Sequence, residues 1–325
     1  MYFFLALSLL VAQGMAPRAL ERHSFSHPQM GTLFRIICYA ESRPQAERAA
    51  EAAFSRIDSL NTVFSDYDPD SELSGISATA GKPGDRAVSE DLWALLVQAQ
   101  ELARLSEGAF DITIGPLSRL WRWSFRRQQW PPHDRLTAAR KAVGYEALEL
   151  KPDTRSVQLL RDSMRLDAGG IAKGYAVDAA MKVLQAHGIR HALVDGGGDM
   201  LASQAPPGAE AWVVELPPVE GADSLLLLAN EAIATSGDTY RYLEWEGKRY
   251  SHIIDPRTGL GVDHGALVTV RAPSCSLADA LASTLTVLDP NQHGSFLSHF
   301  ENVAARIILP GDPPTLSVYN AFHQP

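Results

Sequence analysis

The chain has 325 residues, 46% of them hydrophobic, and a formal net charge of −9 at pH 7. This composition predicts a folded chain with a substantial core, built as one large unit or as two smaller fused ones. The acidic balance disfavours a nucleic-acid partner, because binding to phosphates needs clustered Lys and Arg. The arginines between Arg119 and Arg127 are therefore interpreted as a solvated loop or helix flank. Cys38 and Cys275 are too few for a disulfide framework and are interpreted as isolated core thiols, with pairing in an oxidising compartment left open.

The first segment of the chain, residues 2–12, is almost entirely apolar. A bilayer span needs about 20 such residues, so the run is short for a transmembrane helix. The small residues at 15–17 are typical of the cleavage zone of a secretory signal peptide, although no Lys or Arg precedes the run and no Cys lies near it as a lipid anchor. A buried first strand is the alternative. We predict a leader at 1–20, one catalytic domain at 21–325, and a periplasmic or otherwise extracytoplasmic location.

The rest of the chain alternates between helical and strand-like patterns. In chain order we predict a strand at 33–40, helices at 44–60 and 89–105, a strand at 164–166, a helix at 172–186, strands at 192–194, 212–216, 225–228, 240–245, 249–254 and 267–270, a helix at 276–288, and strands at 303–309 and 316–319. Ser89 is the predicted N-cap of the second helix, and residues 246–248 are the predicted turn of a hairpin. Successive strands favour antiparallel pairing, and long helices fall between groups of strands. The pattern predicts an α+β fold with mixed, largely antiparallel sheets and packed helices.

The densest polar segment is residues 167–178 (DAGGIAKGYAVD), where a predicted strand precedes a helix. Gly169 and Gly170 let a phosphate or another backbone approach closely, since no Cβ is in the way. The N-terminus of the following helix favours anions, and Lys173 adds a full positive charge. Together these features suit a diphosphate; a tight strand–helix turn with a surface lysine is the alternative. A second glycine cluster at 195–199 is either a turn or backbone packed against a ligand.

Asp279 and Ser283 are spaced i, i+4 and so share one face of the last predicted helix. A carboxylate and a hydroxyl are hard oxygen ligands of the kind that Mg²⁺ takes alongside phosphates. The alternative is structural: Ser276 and Asp279 also fit a capping box. His252 is placed on the predicted strand at 249–254, where a purely structural histidine is the alternative.

These segments occur in one order along the chain, and in that order the sequence resembles the ApbE family of FAD:protein FMN transferases. The matching segments are 30–32 (MGT), 65–67 (SDY), 71–73 (SEL), 108–111 (GAFD), 115–117 (GPL), 166–178 (LDAGGIAKGYAVD), 197–199 (GGD), 234–237 (ATSG), 251–259 (SHIIDPRTG) and 278–282 (ADALA). The resemblance covers roughly residues 24–325, and many weak motifs in one order make it specific. It implies an α+β, T-fold-like single catalytic unit that takes FAD as substrate and a catalytic Mg²⁺.

The resemblance also implies roles for individual residues. The positions that contact FAD are Met30, Tyr67, Ala109, Phe110, Asp111, Lys173, Gly197, Ser236, His252 and Ile253. The implied metal ligands are Ala172, through its carbonyl, Asp279 and Ser283; the catalytic set is His252 as the base, Lys173 and Asp279. Ser283 stands where the family usually has Thr, and the serine retains the hydroxyl. Ser77 stands where Asn is expected, in a region where relatives that hydrolyse FAD differ from transferases.

The reaction that the resemblance implies is Mg²⁺-dependent protein flavinylation. FMN moves from FAD to a Ser or Thr hydroxyl of an acceptor protein, and AMP is released. Acceptors of the family are subunits of respiratory and redox membrane complexes. Two alternatives stay open: an FAD pyrophosphatase that gives FMN and AMP, and a non-catalytic flavin-binding protein. The Asp279 and Ser283 pair argues against the second, since storage alone needs no metal.

Overall fold

The structure is a computed structural model and describes residues 19–218, 224–237 and 242–322. The strands are β1 (Glu21–Gln29), β2 (Thr32–Ala40), β3 (Arg86–Ala87), β4 (Leu148–Lys151), β5 (Ser156–Leu159), β6 (His191–Gly196), β7 (Met200–Ala202), β8 (Trp212–Glu215), β9 (Leu225–Leu228), β10 (Glu231–Gly237), β11 (Tyr242–Trp245), β12 (Lys248–Ser251), β13 (Leu267–Ala272), β14 (Ala304–Leu309) and β15 (Thr315–Tyr319). The α-helices are α1 (Arg43–Phe64), α2 (Glu72–Ser77), α3 (Glu90–Leu105), α4 (Gly115–Arg127), α5 (His133–Lys141), α6 (Ala172–Ala186), α7 (Cys275–Val287) and α8 (His293–Leu297). Short 3₁₀ helices cover Tyr145–Ala147, Pro152–Thr154 and Pro290–Gln292.

An antiparallel sheet forms the centre of the fold. Its strand order is β1-β2-β6-β7-β10-β13-β14-β15, and all pairings between neighbours are antiparallel. Smaller antiparallel groups are β3-β5-β4, β8-β9 and β11-β12. Helix α6 packs against both α1 and α7, and all three helices pack against the central sheet. The predicted α+β fold with largely antiparallel sheets is confirmed.

The hydrophobic core has a main part and two smaller ones. The main core lies between the central sheet and helices α1, α6 and α7. A second cluster surrounds Trp212 of β8 and Leu193 of β6. A third joins Trp121 of α4 to Ile254, in the segment that follows β12. This third cluster matters for the site, because it fixes the segment that carries His252 against α4.

Small residues let the helices approach one another closely. The buried face of α1 is rich in alanine, including Ala46, Ala49 and Ala53. Helices α6 and α7 cross at Gly174, where a Cβ would lie 2.3 Å from the carbonyl oxygen of Cys275. Protein interiors are close-packed, so no larger residue fits at this crossing unless the helices move apart. The crossing brings the first turn of α6 beside α7, the helix with two of the predicted metal ligands.

Many predicted elements are present with their ends shifted by a few residues. The first three predicted helices correspond to α1, α3 and α6, and Ser89 caps α3 by accepting a hydrogen bond from the Leu92 N–H. The hairpin turn is present between β11 and β12. Residues 1–18, which carry most of the predicted leader, and residues 240 and 241, which begin the strand predicted at 240–245, lie outside the described residues. Cys38 and Cys275 are buried and free, which confirms isolated thiols. Within the described ranges, no helix has the length and apolar character that crossing a bilayer requires.

The strand predicted at 164–166 is wrong. Arg165 makes only an isolated bridge to Ile114. The Leu166 N–H instead donates to the Ser77 hydroxyl at 3.0 Å. The backbone groups of this segment therefore form hydrogen bonds with a loop and a side chain rather than with a sheet. A short apolar pattern in the sequence is the same in both cases.

The strand predicted at 249–254 ends earlier than expected. β12 stops at Ser251, whose hydroxyl accepts a hydrogen bond from the Ile253 N–H at 3.0 Å. Such a local side-chain bond competes with the ladder and bends the chain. His252 therefore lies in a bend after the strand.

The capping box predicted for the last long helix is also wrong. Ser274 is the N-cap of α7 and accepts a hydrogen bond from the Leu277 N–H. The Asp178 carboxylate of α6 accepts the N–H groups of Cys275 and Ser276. With the helix end satisfied by other residues, the side chain of Asp279 is left for contacts inside the cleft.

Candidate active site

A single cleft gathers most of the predicted site residues. It has a volume of about 730 Å³ and is lined by α4, α6, α7, β10 and the loops beside them. The predicted residues that line it are Tyr67, Ala109, Phe110, Asp111, Lys173, Gly197, Ser236, His252, Ile253, Asp279 and Ser283. Met30 lies in the turn between β1 and β2, and Ala172 is the first residue of α6; neither is part of the lining. The roles assigned to all of these residues stay predictions.

The glycine turn, residues 167–170, precedes α6 and contributes to the lining. Asp167 accepts a hydrogen bond from the Gly169 N–H at 2.8 Å, which fixes the turn. A Cβ on Gly170 would lie 3.2 Å from the hydroxyl oxygen of Ser283, so α7 approaches the turn closely. The N-terminus of α6 adds a partial positive charge beside this turn. The turn therefore favours a phosphate group in the neighbourhood of the Ser283 hydroxyl.

Lys173, in the first turn of α6, is held between two buried carboxylates. Its ammonium group pairs with Asp199 and lies 3.3 Å from an oxygen of Asp279. The Asp279 carboxylate also accepts the N–H of Gly174 at 3.1 Å, which depends on the tight crossing of α6 and α7.

The charges of this trio are strongly coupled. Burial alone would lower the pKa of Lys173, but the carboxylates of Asp279 and Asp199 outweigh it and hold that pKa above its ordinary value. Burial and the charge of Asp279 raise the pKa of Asp199, although the lysine opposes this shift. With all three groups ionised, the trio carries one excess negative charge in a place with little water. A bound cation would neutralise it.

The oxygen atoms beside Lys173 fit Mg²⁺. Asp279 and Ser283 lie one turn apart on α7, and both line the cleft. In the described ranges, no three His, Cys, Asp or Glu side chains cluster so as to hold a metal ion. A cation bound here therefore needs hydroxyl, carbonyl and substrate oxygens beside the Asp279 carboxylate. Mg²⁺ is commonly held in this way, by one or two carboxylates together with phosphates of the substrate.

An exposed tyrosine forms part of the cleft wall. Tyr67 is 74% exposed, and the Cζ atom of Arg122 lies 4.2 Å from the centroid of its ring. The same guanidinium pairs with Asp66 and donates to Asp167 at 2.7 Å. Burial and the charge of Asp167 raise the pKa of Asp66, while Arg122 opposes that shift. Arg122 thus ties the Tyr67 segment to the glycine turn, and the exposed tyrosine ring is available to stack on a flat ligand.

Asp111 is a buried carboxylate in the same cleft. It accepts hydrogen bonds from the Thr113 N–H at 2.8 Å and from the Thr113 hydroxyl at 2.7 Å. Burial raises the pKa of Asp111 to about 6, and the bonds from Thr113 only partly offset this effect. The adjacent Phe110 is fixed by its N–H, which donates to the Ser106 hydroxyl at 3.0 Å.

His252 is an exposed side chain at the cleft, in the bend that follows β12. The turn at 255–259 anchors this bend to α4. The indole N–H of Trp121 donates to the carbonyl of Gly259 at 2.8 Å. An exposed imidazole on an anchored segment is suited to take a proton from an incoming hydroxyl.

Several lining residues were not predicted from the sequence. They are Ser118, Trp121, Arg122, Phe125, Arg126, Thr235, Tyr242 and the buried Asp199. Asp199 ends the second glycine cluster, so its position directly after a strand was an available signal. The spacing of Ser118, Arg122 and Arg126 at i, i+4 and i+8 was a second signal, because it places them along one side of a helix. The interpretation of the arginines as wholly solvated is incomplete, since Arg122 is ion-paired inside the cleft.

Comparisons with known proteins agree on one family. The sequence profile of the ApbE family matches residues 30–307. A FAD:protein FMN transferase of Vibrio cholerae serotype O1 is 32% identical over 314 residues, which cover 94% of this chain and 92% of the relative. Another, from Treponema pallidum, is 33% identical over 302 residues, with coverages of 86% and 83%. The solved apo form of the Pseudomonas stutzeri flavinyl transferase ApbE superimposes with a TM-score of 0.83 at 28% identity, covering 95% of this chain and 98% of that one.

The fold and the cleft together define the class of the protein. It is an α+β protein built like the solved flavin transferases, including that of Vibrio cholerae, which superimposes with a TM-score of 0.81 at 29% identity. The chain belongs to the ApbE family. The resemblance drawn from ordered sequence motifs is thereby confirmed.

Proposed function

We propose that this chain is a magnesium-dependent FAD:protein FMN transferase, which moves FMN from FAD to a Ser or Thr hydroxyl of an acceptor protein and releases AMP. The observation that carries the proposal is the convergence of Lys173, Asp279, Ser283 and His252 on one cleft from three distant parts of the chain. This set supplies positive charge, hard oxygen ligands and a base. Phosphoryl transfer depends mainly on such positioning and charge stabilisation. Relatives named for this activity cover most of the chain, which supports the same conclusion.

Separate segments of the chain bind the diphosphate of FAD, a flat part of FAD and the metal ion. The glycine turn and the N-terminus of α6 receive the diphosphate of FAD, and the exposed ring of Tyr67 stacks on a flat part of the ligand. Asp279, Ser283 and the carbonyl of Ala172 would hold Mg²⁺. When bound, this ion supplies Lewis acidity that neutralises charge on the diphosphate. Lys173, at the start of α6, adds positive charge to the same region.

The transfer step balances without any redox partner. His252 accepts the proton of the acceptor hydroxyl, whose oxygen attacks the phosphorus on the FMN side of the diphosphate. A phosphorus–oxygen bond to the acceptor forms as the bond to AMP breaks, and AMP leaves with the electron pair. Lys173 offsets the negative charge that develops on the leaving phosphate. The flavin ring gains and loses no electrons.

A product assay separates this function from its rivals. The protein is incubated with FAD, MgCl₂ and a candidate acceptor, and AMP and the acceptor mass are measured. AMP together with an acceptor heavier by one FMN supports transfer. AMP together with free FMN indicates a pyrophosphatase, and neither product indicates a flavin-binding protein. The structure gives no observation that favours hydrolysis: the buried Ser77 hydroxyl is bonded to backbone groups of Leu73 and Leu166 and does not line the cleft.

Two substitutions test the assigned roles. Asp279→Asn keeps an oxygen for the Gly174 N–H bond but removes the ionised metal ligand, so we expect AMP release to be lost while the fold is retained. His252→Ala should slow transfer about 10²–10⁴-fold, the usual worth of a general base, while FAD still binds. Transfer at the parent rate by the Asp279→Asn protein would contradict the metal assignment. Loss of FAD binding in His252→Ala would make that residue a binding group instead.

We further propose that the protein acts outside the cytoplasm, in the periplasm or an equivalent compartment, on subunits of respiratory or redox membrane complexes. The support is the apolar run at 2–12 with small residues after it, together with the acceptors of the family. Cell fractionation of the full chain and of a chain lacking residues 2–20 tests the location. The full chain should be exported and the shortened chain retained, and equal retention of both would refute an export signal.

A further inference from the structure

One side of α4, beside the mouth of the cleft, is lined with arginines. Helical spacing places Arg119, Arg126 and Arg127 on this side, opposite the face of α4 that is buried in the protein. All three are exposed, as is Arg135 of the neighbouring α5. We call these four arginines the α4 basic face. They lie in a stretch, residues 119–141, with seven Arg and Lys and a single acidic residue, although the whole chain has a formal net charge of −9.

The α4 basic face is not explained by ion pairing inside the protein. Within the described part of the chain, none of its four arginines makes an ion pair. Cations at a helix C-terminus are favoured by the macrodipole, which accounts for Arg126 and Arg127. It does not account for Arg119, in the first half of α4, or for Arg135 on another helix. Like charges this close repel one another, so the face costs stability unless it meets anions.

An aromatic ring holds two of these arginines in place. The Cζ atoms of Arg127 and Arg135 lie 5.8 Å and 5.7 Å from the ring centroid of Trp123. Cation–π contacts at such distances restrain long side chains that would otherwise be mobile in water. Arginines that are already ordered lose less entropy when an anionic partner binds. The face therefore has the properties of a binding surface prepared for negative charge.

Arg126 connects this face to the reacting groups. It lines the cleft, as do Arg122 and Lys173. Arg122 is held by Asp66 and Asp167, and Lys173 by Asp199 and Asp279. Of the cleft-lining Lys and Arg side chains that the structure describes, Arg126 alone has no carboxylate partner.

We propose that the α4 basic face is the docking surface for an acidic segment of the acceptor protein, with Arg126 binding an anionic side chain close to the target hydroxyl. This inference rests on the proposed transferase function and names the chemistry of its partner. An anion for Arg126 has two sources, a phosphate of FAD and a carboxylate of the acceptor. Position favours the acceptor: Arg126 lies one helical turn beyond Arg122, and it is Arg122 that contacts the glycine turn where the diphosphate binds.

The test uses a display library of peptides, each with one Thr between randomised flanking residues. The full-length enzyme is incubated with the library, FAD and MgCl₂, and flavin-labelled peptides are isolated and sequenced. The variant is Arg126→Gln/Arg127→Gln. The matched control is Arg48→Gln/Lys182→Gln, which also removes two exposed helical cations but from α1 and α6. The affinity of all three proteins for FAD is measured by flavin fluorescence.

The parent and the control should enrich Asp and Glu in the flanks, and the variant should lose that enrichment. For a selected acidic peptide, kcat/KM should fall about tenfold or more in the variant, with a weaker dependence on salt, because interfacial charge pairs act largely through encounter. The affinity for FAD should be the same in all three proteins. A drop in FAD affinity confined to the variant would reassign Arg126 to the FAD phosphate.

Three further outcomes would overturn the proposal. Transfer without any acidic preference refutes the docking surface but leaves the transferase function standing. An absence of labelled peptides, with FAD still bound by the parent, refutes transfer and the docking surface together. Unchanged peptide selection in the variant also refutes the docking surface. If the parent binds phosphatidylglycerol vesicles and the variant does not, the face is a membrane-binding surface instead.

Discussion

The crossing of α6 and α7 at Gly174 provides a direct test of how the site is assembled. In Gly174→Ala, the added Cβ would lie 2.3 Å from the carbonyl oxygen of Cys275 and 2.7 Å from the Cα of Ser276. Both neighbours are backbone atoms, so the helices must separate to accept the methyl group. Overpacking of this kind typically costs about 1–3 kcal/mol. The shift also weakens the hydrogen bond from the Gly174 N–H to Asp279, a bond to a charged group that contributes about 1.5–3 kcal/mol.

These terms exceed the gain in helix propensity. Replacing a helical Gly by Ala stabilises a protein by about 1 kcal/mol where there is room, so we expect a net loss of about 2–4 kcal/mol for Gly174→Ala. Gly75→Ala is the matched control: it lies in α2, its Cβ would meet nothing within 4 Å, and it should be neutral or stabilising by up to about 1 kcal/mol. Chemical denaturation of both variants measures the difference.

The same substitution should disable the chemistry. Separation of the helices moves Lys173 and Asp279 relative to the glycine turn, and a misplacement of about 1 Å in a catalytic group costs roughly 100-fold in rate. AMP release from FAD in the presence of MgCl₂ and the acceptor should fall by about that factor in Gly174→Ala and stay at the parent level in Gly75→Ala. If Gly174→Ala were as stable as Gly75→Ala and released AMP at the parent rate, the tight crossing would have no role in the site.

Two further predictions concern the cleft wall. Arg122→Lys keeps a positive charge, but a lysine cannot pair with both Asp66 and Asp167 or cover the Tyr67 ring. Flavin fluorescence titration should therefore show FAD binding weakened about 3–30-fold, the worth of a cation–π contact. The control Arg127→Lys, at an exposed position, should show no change in FAD binding. Burial raises the pKa of Asp111 from 3.8 in the unfolded chain to about 6, so ionising this carboxyl destabilises the folded protein. The contribution of this carboxyl to the free energy of unfolding is therefore highest below about pH 4 and falls as the pH rises through 6. Denaturation of Asp111→Asn should therefore show its stability relative to the parent growing by up to about 3 kcal/mol between pH 4 and pH 8, and a pH-independent difference would refute the shift.

The sequence was sufficient to predict the helices that shape the site. Apolar periodicity and end signals located α1, α3 and α6, and the order of short motifs located the family and a set of site residues, most of which line the cleft. These features are local, and local patterns are what propensity and periodicity report. The motif at 251–259 was found in the same way, although the strand predicted at 249–254 ends at Ser251, because the hydroxyl of Ser251 accepts the N–H of Ile253.

Contacts between distant segments were beyond the reach of local patterns. Asp279 fitted a capping box by spacing, but in the fold its carboxylate contacts Lys173 and Gly174, more than 100 residues earlier in the chain. The ion pairs of Arg122 with Asp167 and of Asp199 with Lys173 join segments that are far apart in the chain, so only the fold shows them. Charge counts over the whole chain also concealed the α4 basic face, because a net charge averages over surfaces that face different partners.

The charges around Lys173 lead to a last prediction, on how metal and substrate bind. With Asp199 and Asp279 ionised, the trio carries one excess negative charge, which repels the two negative charges of a diphosphate. Mg²⁺ reverses the sign of the site, so the affinities of Mg²⁺ and FAD should be coupled by about 5–150-fold, the same factor in both directions. Titrations of FAD with MgCl₂ and with EDTA, and of Mg²⁺ with and without FAD, measure the two factors. The coupling should be lost in Asp279→Asn. If the parent bound FAD with equal affinity in MgCl₂ and in EDTA, the carboxylates would not bind a metal ion that contributes to FAD binding.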